Sequence, residues 1–489
     1  MSVELAGRRL DVDLLARELG NWRTSSGSGP AYQGLSDGLR MLIVDGRLPV
    51  GAQLPSERAL ADALRVSRTT VTAAYTQMRD DGYLRGRQGA RSTTALPVAA
   101  PAATPTIAGP ASAAPASANL AAATLAAPAA AVSQAFAEAA EQVTPYLHDI
   151  GIELVGVAPL REAIAERYCA RGLPTEPDQI VVTTGALHAI GLIMATYTQP
   201  GDRVLVEQPT YHGALAAMAT KGIRPVPVAM THDGWELDAI DAAVRQLSPN
   251  LAYLIPDNHN PTGMTLPAAG RRRLAQIIAE TRTRTIIDET ITDMWLDETV
   301  PAPFAASMTS RRDLVLTVGS MSKSCWGGLR IGWIRAERSA LTTIGALRPA
   351  IDMGTPIVEQ LAAAKLLGRA EELLPERREI LRARRALLLG LLQEHLPDWR
   401  PDPSKGGMSL WVRLPAPMST ALSAAASRMG LEIPPGPRFG VDGTLERFIR
   451  VPYTLPDEQL TEAIALLARA WRSVTGAGGS AAGVGTVVV

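Results

Sequence analysis

The spacing of apolar residues changes along this chain, and the change separates a helical N-terminal part from a long alternating part. Between residues 30 and 96 the apolar positions recur three or four residues apart, which is the spacing of one face of an α-helix. Residues 32–45 are apolar at positions 35, 39, 42 and 43, and the pattern stops at Gly46. We therefore predict an amphipathic helix over 32–45, with further helices after it.

Two more predicted helices each follow a serine that can accept a hydrogen bond from the first helical turn. Ser56 precedes apolar positions at 60, 61 and 64, and Ser67 precedes a predicted helix over 68–80 that opens with Arg-Thr-Thr. Two helices joined by so short a turn are typical of a helix-turn-helix, in which the start of the second helix meets base edges and phosphates. Residues 82–91 then predict a basic wing.

The charge of this N-terminal part narrows the choice of partner. The whole chain has 48 basic and 48 acidic residues, so any contact with nucleic acid must come from a local patch. Residues 32–91 hold nine arginines against six acids, a net charge of +3, and the acids lie mainly outside the turn and the wing. The pattern favours DNA, and a three-helix module that binds protein is the alternative.

The stretch after the wing differs in composition from the rest of the chain. Residues 92–137 contain no charged side chain, and prolines at 97, 101, 105, 110 and 115 interrupt an alanine-rich sequence. Spaced prolines favour extended structure, so we predict a semi-stiff linker rather than the alternative, a buried alanine-rich helix. A helix is predicted over 129–141, and the glycine-rich end predicts a disordered tail. The predicted divisions are an N-terminal extension (1–29), a DNA-binding domain (30–95), the linker (96–118), a large domain (119–472) and the tail (473–489).

Strand-like apolar runs alternate with helical segments after the linker. The runs cover 180–183, 203–206, 251–255, 285–287 and 314–318. This alternation predicts an α/β fold with a mostly parallel sheet, whose ligands bind at the carboxyl ends of the strands. Two cysteines provide neither a disulfide framework nor a metal cluster and fit a reducing cytosol. The sequence shows no signal-peptide pattern and no apolar window of membrane length, which predicts a soluble intracellular protein.

Residues suited to a flat, phosphorylated ligand follow the predicted strands. After the first strand, the amides of Gly185, Ala186 and Leu187 open a helix and can face a phosphate. Tyr211 follows the second strand and offers an aromatic face, and Asn260 follows the third and offers an amide.

Asp288 and Lys323 complete this series after the fourth and fifth strands. Packing alone explains any single member, with Tyr211 as a core aromatic, Asn260 as a turn former before proline, or Asp288 as a helix cap. Five such positions in one order are not expected from packing, so the series predicts one shared site.

Lys323 is one of four lysines in a chain that has 44 arginines. An amine can lose its proton and condense with an aldehyde, whereas a guanidinium effectively cannot. Ser320 and Ser322 precede the lysine and Arg330 follows it, which suits an aldehyde cofactor that carries a phosphate. The alternative is a polar loop that happens to contain a lysine.

The N-terminal part resembles the small α+β winged helix-turn-helix of GntR-type bacterial regulators. The matching segments are Leu-Pro-Ser-Glu-Arg at 54–58, Ser-Arg-Thr-Thr-Val at 67–71 and Gly-Tyr-Leu at 82–84, in the order and spacing of that pattern. The resemblance implies double-stranded DNA as the partner. The implied contacts are Arg58, Ser67, Arg68, Thr69, Thr70 and Thr72, with Gln88 and Gly89 in the wing.

Residues 119–472 resemble the fold-type-I, pyridoxal-phosphate-dependent aminotransferases, an α/β fold with a smaller C-terminal subdomain. The resemblance implies an internal aldimine at Lys323, pairing with the ring nitrogen by Asp288, donation to the ring hydroxyl by Asn260, and stacking by Tyr211. It also implies cofactor contacts from Gly185, Ala186, Leu187, Thr290, Ser320, Ser322 and Arg330. Arg450, in a matching segment at 448–452, falls where these enzymes hold the substrate α-carboxylate.

Two departures from that pattern concern turnover. Many aminotransferases have a tyrosine two or three residues after the aspartate, where this chain has Thr290 and Ile291. Another tyrosine often comes from the neighbouring subunit, at a position where this chain has Ile152. Both departures count against full transaminase turnover more than against cofactor binding.

Together the two resemblances identify a multidomain chain similar to the MocR group of bacterial regulators. They imply a homodimeric, cytoplasmic, nucleoid-associated transcriptional regulator that binds pyridoxal phosphate, with at most weak transaminase activity and without a metal. Its effector would be an amino compound or pyridoxal phosphate itself. The alternative, from the enzyme class, is a working aminotransferase whose DNA-binding domain is incidental.

Overall fold

Two units make up the chain in the computed structural model, which describes residues 10–20, 22, 30–45, 47–48, 50–86, 92–95, 118–298 and 301–476. The first unit holds the described residues up to 95 together with Leu414–Ala424 and Pro435–Ile449. The second unit holds the described residues from 118 to Arg413, then Ala425–Pro434, then Arg450 to 476.

The N-terminal part of the first unit is a helical bundle with a short ribbon. Its elements are α1 (Val12–Leu19), α2 (Ala31–Val44), α3 (Glu57–Leu64), α4 (Arg68–Asp80), β1 (Leu84–Arg85) and β2 (Thr93–Thr94). Ser56 Oγ accepts from the Ala59 amide at 3.2 Å, and Ser67 Oγ accepts from the Thr70 amide at 3.2 Å. The three predicted helices and both predicted caps are confirmed, and β1 pairs antiparallel with β2 as in a wing.

Helix α1 belongs to this bundle, although the sequence placed it in an N-terminal extension. Asp11 caps it by accepting from the amides of Asp13 and Leu14. Leu15 and Leu19 are buried in one apolar cluster with the inward residues of α2, α3 and α4. A helix of eight residues is only marginally stable by itself. Burial of Leu15 and Leu19 against the other three helices therefore stabilises α1.

From residue 118 onward the chain alternates strands and helices. The strands are β3 (Ala118–Asn119), β4 (Ile180–Thr183), β5 (Arg203–Gln208), β6 (Arg224–Thr231), β7 (Gly234–Trp235), β8 (Leu251–Leu254), β9 (Thr285–Asp288), β10 (Val315–Ser320), β11 (Gly332–Arg335), β12 (Arg400–Pro401), β13 (Ser409–Arg413), β14 (Leu431–Glu432) and β15 (Phe448–Pro452). The helices are α5 (Ala129–Gln142), α6 (Ala158–Ala170), α7 (Ala186–Tyr197), α8 (His212–Thr220), α9 (Leu237–Leu247), α10 (Ala268–Thr281), α11 (Arg338–Gly345), α12 (Ile357–Gly368), α13 (Ala370–His395), α14 (Ser419–Arg428) and α15 (Asp457–Gly476).

The main sheet has eight strands in the order β4-β11-β10-β9-β8-β5-β6-β7. Strands β10, β9, β8, β5 and β6 are parallel to their neighbours in that run, whereas β11 is antiparallel to both β4 and β10. Every residue of β4, β8, β9 and β10 is buried, as expected for strands covered on both faces. The predicted mostly parallel sheet is confirmed, and a smaller sheet follows in the order β12-β13-β15.

Several predicted boundaries move by a few residues. Asp288 is the last residue of β9 rather than the residue after it, and Ala118 lies in β3, where it pairs with Leu431 of β14. Helix α5 covers the helix predicted over 129–141. Helix α15 continues through Gly476, so residues 473–476, which the sequence assigned to the tail, are helical. The rest of the predicted linker and tail, 96–117 and 477–489, lies outside the described residues.

Candidate cofactor site and DNA-binding surface

A cavity of about 410 Å³ opens at the carboxyl ends of β5, β8, β9 and β10. Most of the cofactor-site and carboxylate-site residues that the sequence singled out meet in this cavity. Those that line it are Ala186, Leu187, Tyr211, Asn260, Asp288, Thr290, Ser320, Ser322, Lys323, Arg330 and Arg450. Gly185 lies directly before Ala186, as the residue that caps α7.

Lys323 reaches the cavity from the loop after β10. Its Nζ donates to the carbonyl oxygen of Ala123 at 2.7 Å. Burial disfavours the ammonium form and the nearby Arg450 guanidinium repels it, so the pKa of Lys323 falls from 10.5 to about 8 despite the opposing charge of Asp288. A substantial share of this amine is therefore neutral near physiological pH, the form that attacks an aldehyde.

Asp288 provides a buried carboxyl group at the end of β9. The Tyr253 hydroxyl donates to Oδ2 at 2.7 Å, and the Thr290 amide donates to Oδ1 at 2.9 Å. Burial raises the pKa of Asp288, while these hydrogen bonds oppose the rise. Tyr253 lies inside the apolar run of β8, so its sequence context does not distinguish it from a core residue. These two hydrogen bonds hold the carboxyl group in one orientation.

Another group of residues that lines the cavity is suited to an anion. Gly185 has a φ of +90° and caps α7, and Arg330 Nη2 donates to the carbonyl oxygen of Thr184 at 3.1 Å. A Cβ on Gly185 would lie 2.6 Å from Arg330 Nη2, so only glycine lets the guanidinium approach the start of the helix. Ser320 Oγ accepts from the Ser322 amide at 3.1 Å. Helix amides, a guanidinium and two serine hydroxyls are groups that can hold a phosphate.

Tyr211 and Arg450 also line the cavity. Tyr211 precedes α8, and burial raises the pKa of its phenol. Arg450, on β15, is 2% exposed, and its guanidinium donates to the carbonyl oxygen of Ala121. Its Nη1 also lies 3.5 Å from Asn260 Oδ1. An arginine in this position presents a planar, bidentate donor to a carboxylate.

A cluster of polar side chains beside the cavity, which includes the lining residue His259, joins the ends of β5 and β8. Glu207 accepts from the Trp235 indole at 2.5 Å and from the Ile255 amide at 2.9 Å, and its Oε2 lies 3.3 Å from His259 Nε2. His259 Nδ1 is 2.9 Å from the Thr262 hydroxyl. The cluster was not predicted as a unit, because its members are far apart in sequence.

On the first unit, the predicted DNA contacts lie at the start of α4, with Arg58 on α3. Arg58, Ser67, Arg68 and Thr69 are exposed, and the Arg68 side chain has 73% relative exposure. Ser67 Oγ lies 2.8 Å from both the Thr69 and the Thr70 hydroxyl oxygens. This surface matches what the second helix of a helix-turn-helix offers to a phosphate or a base edge.

Thr72 differs from the other predicted contacts on α4. It is half-buried, and its hydroxyl lies 2.7 Å from Glu57 Oε2 and 3.0 Å from the Arg68 carbonyl oxygen, to which it can donate. Glu57 Oε2 is also 3.9 Å from Arg68 Nε. Thr72 therefore joins α4 to α3 inside the unit. The two predicted wing contacts, Gln88 and Gly89, lie outside the described residues.

The fold and the cavity define an aminotransferase-type unit preceded by a helix-turn-helix, and comparison with known proteins agrees. The model of aminotransferase class I and II matches residues 119–467, and the model of bacterial regulatory proteins of the gntR family matches residues 31–93. The chain belongs to the aminotransferase class I and II family and has the domain arrangement of MocR-type regulators.

The chain is similar both to proteins named as transcriptional regulators and to aminotransferases. The chain is 29% identical over 448 residues to the uncharacterized HTH-type transcriptional regulator YdcR of Escherichia coli, covering 86% of this chain and 94% of YdcR. It is 30% identical over 346 residues to a 2-aminoadipate transaminase of Thermus thermophilus, covering 69% of this chain and 86% of that enzyme. A crystal structure of LysN, an α-aminoadipate aminotransferase from Thermus thermophilus complexed with N-(5'-phosphopyridoxyl)-L-leucine, superposes with a TM-score of 0.67 at 28% identity, over 73% of this chain and 93% of that one.

The family and its structural neighbours imply pyridoxal phosphate as the cofactor. The residues present fit that group, because an amine, a buried carboxyl group and an anion cradle face one cavity. No helix among the described residues has both the length and the apolar character needed to cross a membrane. Within the same residues, His, Cys, Asp and Glu side chains form no cluster that could hold a metal ion.

Proposed function

We propose that this protein is a transcriptional regulator of the bacterial cytosol that binds DNA through its helix-turn-helix and pyridoxal phosphate through Lys323. The main support for this proposal is that Lys323, Asp288 and Arg330 line one cavity. In the same chain, Arg68 is exposed at the start of α4. The helix-turn-helix and the relatives named as regulators support DNA binding. Association with the nucleoid follows from operator binding.

The residues of the cavity divide the task of holding the cofactor. Lys323 would hold the aldehyde carbon, and Arg330 with the start of α7 would hold the phosphate. Asp288, oriented by Tyr253, would keep the ring nitrogen protonated. When bound, pyridoxal phosphate supplies an electron-accepting ring. Arg450 remains to orient a carboxylate, which supports an amino acid as the sensed compound, with pyridoxal phosphate itself as the other candidate effector.

A second candidate function is transamination, and the similarity to a 2-aminoadipate transaminase supports it. The cavity wall after Asp288 weighs against full turnover, because Thr290 and Ile291 line it where many aminotransferases have a phenol. A regulator needs only a ligand that binds two conformations with different affinity. We therefore expect slow turnover or none.

One paired experiment separates the two functions. Fluorescence anisotropy with the DNA upstream of the protein's own gene would measure binding at physiological salt, with and without pyridoxal phosphate and a panel of amino acids. Single-turnover spectra with the same amino acids would measure conversion to keto acid. We expect DNA binding that responds to a ligand and little conversion. Fast conversion without DNA binding would establish the enzyme and reject the regulator.

We also propose a homodimer through the second unit. Large apolar side chains are exposed in two segments, 147–155 and 351–353, including Ile150 at 80% and Leu147 at 69% exposure. The segments are adjacent, because a Cβ on Gly354 would lie 2.6 Å from the Glu153 carbonyl oxygen. An apolar patch of this kind is typical of an interface, and a two-fold dimer is the commonest way to cover one.

Sedimentation equilibrium tests this dimer. The wild-type protein should be dimeric at micromolar concentration, and Ile150→Asp should shift it toward monomer because a charge would be buried in the interface. Leu389→Asp provides the matched control, since Leu389 is an exposed leucine on α13, away from both segments in sequence. A monomeric wild-type protein, or equal effects of both substitutions, would rule out this interface.

A further inference from the structure

We infer that residues 120–124, here called the covering segment, act as a displaceable cover that detects the carboxylate of a ligand. The inference rests on the proposed function, since it concerns the same cavity. In the structure, the backbone of this segment accepts from Lys323, which would hold the aldehyde of the cofactor, and from Arg450, which a carboxylate would take. A ligand with a carboxylate competes with the segment for Arg450, whereas a plain amine does not.

Three consecutive carbonyl groups of the covering segment point at polar side chains of the site. The Ala121 oxygen accepts from the Arg450 guanidinium, and the Ala123 oxygen accepts from Lys323 Nζ at 2.7 Å. Between them, the Ala122 oxygen lies 3.5 Å from the Thr454 hydroxyl that donates to it. These carbonyl groups accept hydrogen bonds from the buried Arg450 guanidinium and from the Lys323 amine.

The covering segment is held in place at both ends and has only small side chains in the middle. On one side the Leu120 amide donates to the Glu432 carbonyl oxygen at 2.7 Å, continuing the pairing of β3 with β14. On the other side Leu125 is buried. The residues between, 121–123, are three alanines, and Ala122 is exposed. Methyl side chains give this stretch little packing of its own, so moving it costs few contacts.

A carboxylate has the advantage in a competition for Arg450. A guanidinium forms a stronger hydrogen bond to an ionised carboxylate than to a neutral carbonyl group, and it can do so with two parallel N–H groups. A carboxylate that takes both terminal amino groups of Arg450 would replace the Ala121 oxygen, and the segment would then leave its position. An amine without a carboxylate leaves the contact between Arg450 and Ala121 in place. The covering segment thereby distinguishes an amino acid from a simple amine.

The position of the covering segment in the chain connects its displacement to the residues that lead to the helix-turn-helix. The segment begins two residues after Ala118, and residues 96–117 join Ala118 to the helix-turn-helix in sequence. A ligand that displaces residues 120–124 therefore acts on the point where the joining chain enters the second unit. Such a ligand binds the covered and uncovered states with different affinity, which is the requirement for a regulatory effect.

Hydrogen–deuterium exchange of the full-length wild-type protein tests the displacement. Two probes fill the same cavity: pyridoxamine 5'-phosphate, which has no carboxylate, and N-(5'-phosphopyridoxyl)-L-alanine, which has one. Calorimetry first establishes that both are bound at saturation. We expect faster exchange in the peptide that contains 118–125 with the alanine adduct, and no such change with pyridoxamine 5'-phosphate.

Substitution of Asn119 gives a second, independent measurement. Asn119 Oδ1 accepts from the Ala121 amide at 2.8 Å and so holds the segment in its covering position, while its side chain is exposed. Asn119→Ala should increase the affinity for the alanine adduct about fivefold, the equivalent of one lost hydrogen bond in the covered state. Affinity for pyridoxamine 5'-phosphate should not change. Asn119→Asp keeps the acceptor and should behave as the wild-type protein does.

The outcomes separate this inference from the proposed function. If both probes bind and exchange over 118–125 is unchanged or slower with the adduct, the covering segment is not displaced and the inference is wrong. Equal effects of Asn119→Ala on both probes would indicate general loosening and also overturn it. If neither probe binds, the cofactor site itself is wrong, and both proposals fail.

Discussion

Lys323→Ala is expected to abolish the absorption band at about 420 nm that the wild-type protein develops with pyridoxal phosphate. Among the four lysines, Lys323 lines the cavity with Asp288 and Arg330, and its Nζ is the amine available to hold an aldehyde. Absorption spectra after reconstitution and desalting would measure the loss. The substitution removes a covalent anchor rather than one contact, so we expect complete loss of the band.

Two controls make this result specific to Lys323. Lys221→Ala removes a lysine that follows α8 and does not line the cavity, and it should leave the band unchanged. In the wild-type protein the rate of cofactor capture should rise with pH up to about 8 and then level off, because burial and Arg450 lower the pKa of Lys323 to about 8 and only the neutral amine reacts. A colourless wild-type protein after reconstitution would contradict the cofactor assignment.

The second large effect is expected from Arg68→Ala, which should weaken operator binding by roughly 1–3 kcal/mol. Arg68 is the first residue of α4, and its side chain has 73% relative exposure, so the guanidinium is available to a phosphate or a base edge. If the contact is to phosphate, the dependence of log affinity on log salt should become shallower by about one unit. Anisotropy titrations at several salt concentrations would measure both quantities.

Arg17→Ala is the matched control for the loss of one positive charge from the same unit. Arg17 is exposed on α1, and its Nε donates to the Asp13 carbonyl oxygen. This substitution should change DNA affinity much less than Arg68→Ala, and neither should alter the 420 nm band, because both residues lie in the first unit. Equal losses from the two arginines would mean that α4 does not direct binding and that only overall charge matters.

Local sequence determined the elements and the order of the site residues. Apolar spacing gave α2 and α4 nearly to the residue, and Ser56 and Ser67 cap the helices that they were expected to cap. Apolar runs located β4, β5, β8, β9 and β10. These signals are local, since periodicity and capping depend on neighbouring residues within one or two turns. Because parallel strands end at one edge of a sheet, the residues after them could be expected to meet.

Tertiary structure decided the contacts that no local pattern encodes. Tyr253 orients Asp288 across two strands, yet in sequence it is one more apolar residue of β8. The Thr72 hydroxyl lies 2.7 Å from Glu57 Oε2 because α3 packs against α4, a contact that its place in the motif did not indicate. The covering segment acts through backbone carbonyl groups, which every residue has, so its alanines carry no sign of the contacts with Lys323 and Arg450. Lys323 and Arg450 each donate to a backbone oxygen 200 or more residues away, and these contacts depend on how the second unit packs. The sequence by itself determined the helices, the strands and the order of the site residues, and packing determined which of their atoms meet.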